Sequence, residues 1–263
     1  MAVLSIDLAY RRWSDLGIVV LDRPRPDAPI RCEILAWNYT GFETSTNTEA
    51  SNGRNRVDAN ILAGRLNHLC ATRDIRMILL DGPQAWKSGH NGLLHARVSE
   101  RQLNTTAKTG LPGIVKPITC RPFAEFCLDV YEGLCRRGWR RLDTEDKPGV
   151  MPKRILAESY PHAAWKSLGL KPLPSKRRAK ICDLAEAYRT LRAAVPFTTN
   201  RPPNHDQLQA IVGGLAGLAL EEHRYNGARI VGHPPRREEG HWREGFILLP
   251  VRPDACSNLR WLQ

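Results

Sequence analysis

The 263-residue chain is 42% apolar and 25% charged, and 39 Lys and Arg against 27 Asp and Glu leave a formal charge of +12. At roughly 150 residues per domain this length accommodates one large α/β domain, and the composition excludes disorder, collagen-like repeats and a disulfide mini-scaffold. A basic excess of this size predicts an anionic partner.

The first residues, MAVLSIDLAY, carry Asp7 within an apolar stretch and lack both a basic leader and a small-residue cleavage site. They read as a first β-strand and not as a secretory signal. Val3 to Ile6, Gly17 to Leu21 and Ile30 to Trp37 are three strand-like runs, separated by Tyr10-Arg11-Arg12 and by RPRPDAP, and they predict an antiparallel meander. From Arg54 to Cys70, Val57, Ile61, Leu62, Leu66 and Leu69 fall near helical spacing. The run RMILL, Arg76 to Leu80, then stops at Asp81-Gly82-Pro83 and predicts a buried strand.

Residues 84 to 118 show no clear periodicity and are longer than a compact domain normally leaves irregular, so they read as a functional insertion of unassigned structure. Pro122 at a first helical position, with Phe123, Phe126, Cys127, Val130, Tyr131 and Leu134 on one face, predicts an amphipathic helix. Ile155 to Ala157, ending in Glu158, predicts another buried strand. Ser175 is expected to cap a helix carrying Ile181, Leu184, Ala185, Tyr188 and Leu191, and Asn204 with Gln207 resembles a capping box for a helix over 205–223. Within the latter, Ile211 to Leu220 falls short of the roughly 18 residues of a spanning helix, so a core helix and no membrane partner are expected. Arg229 to Val251 predicts a hairpin around PPRREEG. No internal repeat or second domain is visible, which leaves a single domain over 1–263. Cys32, Cys70, Cys120, Cys127, Cys135, Cys182 and Cys256 form no C-x-x-C, and predict neither zinc nor a disulfide frame but a reducing cytoplasmic setting.

Three of the apolar strands end in a carboxylate: VLSI before Asp7, MILL before Asp81, and ILA before Glu158. If the strands run parallel and adjacent, these groups gather at the carboxyl edge of the sheet, where open α/β folds bind ligands. Asp206 lies in the first turn of the late helix, where Ala210, Gly213 and Gly217 mark a small-residue face suited to close packing. Crowded carboxylates repel unless cations neutralise them, and an all-oxygen site suits Mg²⁺ or Mn²⁺. The bland alternative makes Asp7 and Asp81 turn residues and Asp206 a partner of the helix dipole.

Basic residues form the second constellation: Arg11 and Arg12; Arg136, Arg137, Arg140 and Arg141 in RRGWRR; and Lys176, Arg177, Arg178 and Lys180 in KRRAK. Such clusters bind phosphate backbones, and KRRAK in a helical first turn would oppose the dipole unless an anion relieved it. Trp13 and Trp139 lie among arginines, as base-stacking candidates or half-buried surface aromatics. His90 and His95 lack a zinc-motif spacing, and His205, beside Asp206, is a candidate to orient water or contact phosphate, with a helix-capping or surface role the better reading. No G-x-G-x-x-G, Walker A, G-x-S-x-G or kinase set is present.

The segments SIDLA, MILLDGPQAW, ERQLNTTAKTGLPG, AESYPHAAWKSLG, NHDQLQA and REGFILLP, in this order, resemble the bacterial and archaeal domain-of-unknown-function family 429. That family is regarded as predicted nucleases of ribonuclease H-like fold. The resemblance implies a mixed five-stranded sheet with flanking helices, its first three strands antiparallel and two further strands parallel to the first. It also implies that Asp7, Asp81, Glu158 and Asp206 are the acidic, metal-binding positions. Such families often carry a second acidic residue three positions after the first on the last helix, where this chain has Gln209.

The leading expectation is therefore a nuclease acting on DNA or RNA with two Mg²⁺ or Mn²⁺ ions. A nucleic-acid-binding protein with a degenerate site is the alternative. An actin-like or sugar-kinase ATPase ranks last, because Leu8-Ala9-Tyr10-Arg11-Arg12 lacks the Gly and Thr of a phosphate turn.

Overall fold

A computed structural model describes residues 2–38, 55–143 and 154–252. In chain order the elements are β1 (Ala2–Asp7), β2 (Gly17–Asp22), β3 (Ile30–Leu35), α1 (Ala59–Thr72), β4 (Met77–Asp81), α2 (Val98–Leu103), β5 (Lys108–Thr109), β6 (Val115–Lys116), α3 (Arg121–Cys135), β7 (Arg140–Arg141) and β8 (Ile155–Ser159). They continue with α4 (Pro161–Ser167), α5 (Ile181–Ala194), β9 (Phe197–Thr199), α6 (His205–Glu221), β10 (Ala228–Val231), β11 (Arg236–Glu238), β12 (His241–Arg243) and β13 (Ile247–Pro250).

The centre of the main sheet is β3-β2-β1-β4-β8, with β1, β2 and β3 antiparallel and β4 and β8 parallel to β1. This is the strand arrangement that the resemblance implies. The expected five strands are a core and not the whole: β9 extends one edge, β13 and β10 the other, and β7 pairs with the start of β8, giving nine strands among the described residues. The expected C-terminal hairpin is two nested pairs, β10 with β13 and, between them, β11 with β12.

β1, β4 and β8 are near-continuous apolar runs because both faces of the sheet are covered. One core lies between the sheet and α4, α5 and α6, the other between the sheet and α1 and α3. Helix α6 lies close enough that a Cβ at Gly213 would meet Ser159 Oγ at 2.9 Å, and one at Gly217 would clash with Leu79. The capping box of Asn204 and Gln207 starts this helix as predicted. Ser175 does not cap α5, which begins at Ile181 after Lys180, so KRRAK lies in the preceding loop and not on the helix. The backbone carbonyl of Ser175 instead closes a local turn by accepting from the amides of Arg178 and Ala179.

Residues 84–118 carry α2 and the β5–β6 pair, and buried carboxylates tie them down. Glu244 accepts from the amides of Ser88 and Val98 and from the Asn91 side chain, and Glu100 accepts from the amides of Arg97 and Thr109. An irregular segment has no ladder to satisfy its N–H groups, so acceptors from elsewhere must supply the partners. Among the described residues no helix is long and apolar enough to cross a membrane.

Candidate metal centre

Asp7 and Asp81 end neighbouring parallel strands and are paired in register. Side chains alternate along a strand, so Asp7 shares the face of Val3 and Ser5, and Asp81 that of Met77 and Leu79, which is the face covered by α6. Opposite Asp7 on β2 stands Gly17, where a Cβ would run into the backbone carbonyl of Asp206. The missing side chain is what lets the start of α6 descend onto the strand ends and bring Asp206, 5% exposed, to Asp7.

Asp7, Asp206 and His205 each present a ligand atom within 4.8 Å of the others. The carboxyl of Asp7 is held well above the ordinary range by burial and then by the charges of Asp81 and Asp206. Burial pushes Asp81 up to about 7, with the charge of Glu158 adding to it, against a hydrogen bond from Asp7 that lowers it. Without a cation the pair thus retains a proton between its carboxylates.

His205 is the residue that the sequence reading undervalued. Its Nε2 lies 2.9 Å from the carbonyl of Pro174, which can only accept, so Nε2 carries the hydrogen. In the neutral ring Nδ1 is then a bare lone pair, 3.2 Å from Asp206 Oδ1. Two acceptors facing each other require a proton or a cation between them. In sequence His205 was marked only by adjacency to Asp206, a weak sign because neighbours on a helix usually diverge. The nearest positive charge is the half-exposed Lys176, whose Nζ donates to Asp206 and, at 2.9 Å, to Asp15.

Glu158, like Asp81, lies outside the three-residue group of Asp7, His205 and Asp206, but its charge raises Asp81. In register Asp81 pairs with Ser159, so Glu158 sits one residue early, on the face of Leu156 and Tyr131. There Arg97 holds it with two hydrogen bonds of 2.7 Å, and the amide of Gln84 adds a third of 3.0 Å. Burial raises its carboxyl above the ordinary range, while Arg97 pulls the other way. Gln209 is also turned away, since its Oε1 accepts from Trp165 Nε1 at 2.8 Å.

The basic clusters separate. Arg11, Arg12, Lys176, Arg177, Arg178 and Lys180 are exposed, and the contacts of Lys176 place KRRAK beside the acidic centre. RRGWRR lies at the other end of the sheet: Arg140 pairs with Ile155, the first residue of β8, four residues from the Asp81 partner Ser159, or about 13 Å along a strand. Arg136 and Arg140 are exposed, and Arg137 donates to Gly133 O and Asn60 Oδ1. Arg141 is 3% exposed, donates to Gln84 O and Glu132, and stacks 4.5 Å from the Trp242 ring, so its guanidinium is engaged within the protein. Trp139 and Trp13 are also buried: Trp139 donates to Asn67, and the Arg65 guanidinium covers Trp13, which removes both as stacking platforms.

No protein-family model and no curated protein matches the sequence, so family 429 stands as a resemblance. Among solved structures the chain is similar to RuvC of Thermus thermophilus, with 10% identity and a TM-score of 0.37 over 84% of this chain and 96% of that one.

Proposed function

We propose that the protein is a divalent-metal-dependent nuclease that hydrolyses phosphodiester bonds of DNA or RNA. The observation that carries the reading is the convergence of Asp7, Asp206 and Nδ1 of His205, with Asp81 paired in register with Asp7. This donor set fits Mg²⁺ or Mn²⁺: hard carboxylate oxygens with raised affinity for positive charge, plus an imidazole nitrogen that Mn²⁺ accepts more readily. Asp7, which interacts with both Asp81 and Asp206, would hold metal together with Asp81, Asp206 and His205. Such ions would activate a water and stabilise the leaving oxygen of the phosphodiester.

The remaining work falls to the chain. Asp7 and Asp81, whose carboxyls are raised without metal, would hold a cation in their deprotonated forms. The carbonyl of Pro174 keeps His205 in the tautomer that presents Nδ1. Lys176, exchanged from Asp206, is free to meet a substrate phosphate, while Arg11, Arg12, Arg177, Arg178 and Lys180 attract the backbone. We propose that Glu158 positions residues 84–97 through Arg97 and Gln84 and does not ligate metal. A binding protein without turnover is the second reading, favoured by the Lys176 ammonium already paired with Asp206.

The test is cleavage of labelled single-stranded, duplex, branched and hybrid substrates with Mg²⁺, Mn²⁺ or chelator, using wild type, Asp7→Asn and Asp81→Asn. Metal-dependent cutting lost in both variants is the expected result. Salt-sensitive binding by folded wild type with no cutting of any substrate would decide for the second reading.

A further inference from the structure

A cavity of about 130 Å³ opens beside the acidic centre, between the ends of β4 and β8, the start of α3, and the loop between α2 and β5. Asp81 lines it, so whatever enters lies next to the carboxylates proposed to hold metal. We propose that this cavity receives one unstacked nucleobase of the bound strand. The proposal rests on the nucleic-acid reading above and specifies which part of the substrate is recognised.

Charge decides against a phosphate. Among the described residues lining the cavity Arg97 is the one cation, and Glu158 and Glu100 already engage its guanidinium. With Asp81 that makes three carboxylates to one guanidinium, which repels an anion and tolerates a neutral, hydrogen-bonding ring. The walls suit such a ring. Phe123 and Tyr160 supply aromatic surface, and Val115 and Ala124 close the apolar interior. At the mouth, exposed Thr106 hydrogen-bonds the Tyr160 phenol, which places polar groups where a base edge would lie. An apolar interior with a few polar groups at its margin is the usual composition of a site for a planar heterocycle.

A second, independent feature lies on the same segment. Leu111, Ile114 and Ile118 are 40%, 46% and 65% exposed, although they flank the β5–β6 pair that contributes Thr109 and Val115 to the cavity wall. Exposed branched side chains beside a nucleic-acid groove serve as wedges between base steps, and a base displaced by such a wedge needs an enclosed place to go. Wedge and receptacle are a few residues apart on one hairpin.

The experiment uses wild-type protein in chelator, which prevents cleavage, and oligonucleotides carrying 2-aminopurine at successive positions; anisotropy of an end label reports binding separately. At one position the 2-aminopurine emission is expected to rise about threefold or more as the base leaves its stack. Duplexes with one extrahelical base should bind about tenfold more tightly than fully paired ones, because the unstacking cost is already met. Thr106→Trp fills the mouth from an exposed position and should abolish both effects while anisotropy still shows binding; Ala124→Leu, which narrows the interior, is the second variant. Tight binding with no emission change at any position, or effects that survive both variants, would overturn the base site and leave the nuclease reading intact. No binding by anisotropy to any oligonucleotide would overturn the nucleic-acid reading and this proposal with it.

Discussion

Asp81 shows how a single residue links site chemistry to stability. Its carboxyl is pushed up to about 7 by burial, and that of Asp7 is raised as well, so the folded protein holds more protons than the unfolded chain between the ordinary carboxylate range and about pH 7. The stabilisation is complete at low pH and is lost as pH rises through that window. Metal-free protein should therefore melt lower at pH 8 than at pH 5, by on the order of 2 kcal/mol after solvent screening, or a few °C. Asp81→Asn should remove most of that difference, and Mn²⁺ should restore the wild type at pH 8; scanning calorimetry reads both. Lys176→Met removes a cation that competes for Asp206, so Mn²⁺ should bind several-fold more tightly by titration calorimetry, while cleavage falls if the ammonium serves the phosphate. Arg97→Met would leave Glu158 buried without its counter-charge and should cost about 3–5 kcal/mol in denaturant unfolding. If Glu158 were a ligand, the same change would instead alter metal affinity first. The raised carboxyls and the Nδ1 lone pair of His205 were not legible in the sequence, since each depends on which groups the fold places nearby.

Between elements, the contact that assembles the site is that of α6 with β1 and β2. Gly17 and the glycines of α6 act at different points along it. Gly17→Ala would push the first turn of α6, and with it His205 and Asp206, away from Asp7. Mn²⁺ affinity should then fall about tenfold, which corresponds to ~1.4 kcal/mol. Gly217→Ala meets Leu79 three helical turns away and should cost about 1–3 kcal/mol of stability with little change in metal affinity. Equal losses of affinity in the two variants would show that α6 moves as a rigid rod and that Gly17 has no separate role. The small-residue face was visible as Ala210, Gly213 and Gly217 because close helix packing leaves that compositional trace. The expected cap at Ser175 failed because a nearby turn takes the Ser175 carbonyl and α5 starts only at Ile181.

Across the whole molecule, the +12 charge is not spread evenly in its consequences. KRRAK, Arg11 and Arg12 are exposed at the acidic edge, whereas RRGWRR is at the opposite end of the sheet and partly consumed by internal contacts. Arg177→Ala and Arg178→Ala should each lower the slope of log binding constant against log salt by about one, and Arg140→Ala should leave it unchanged. A slope reduced equally by Arg140→Ala would mean that the nucleic acid tracks the other end of the sheet.

What the sequence determined by itself was the set of strands, their carboxylate endings and the capped last helix, because apolar runs, turn residues and capping boxes are local signals. Which carboxylates meet was decided only in three dimensions. β1, β4 and β8 are buried on both faces, so they carry no alternation of polar and apolar residues from which a face could be read. VLSI-Asp7, MILL-Asp81 and ILA-Glu158 look equivalent in one dimension. The sheet register aligns Asp81 with Asp7 but with Ser159 rather than Glu158, and one residue of offset turns a side chain to the opposite face, where Glu158 meets Arg97. The same packing brings in His205 and Lys176, whose partners lie far away in the chain or, as with Nδ1 of His205, depend on how a ring is held.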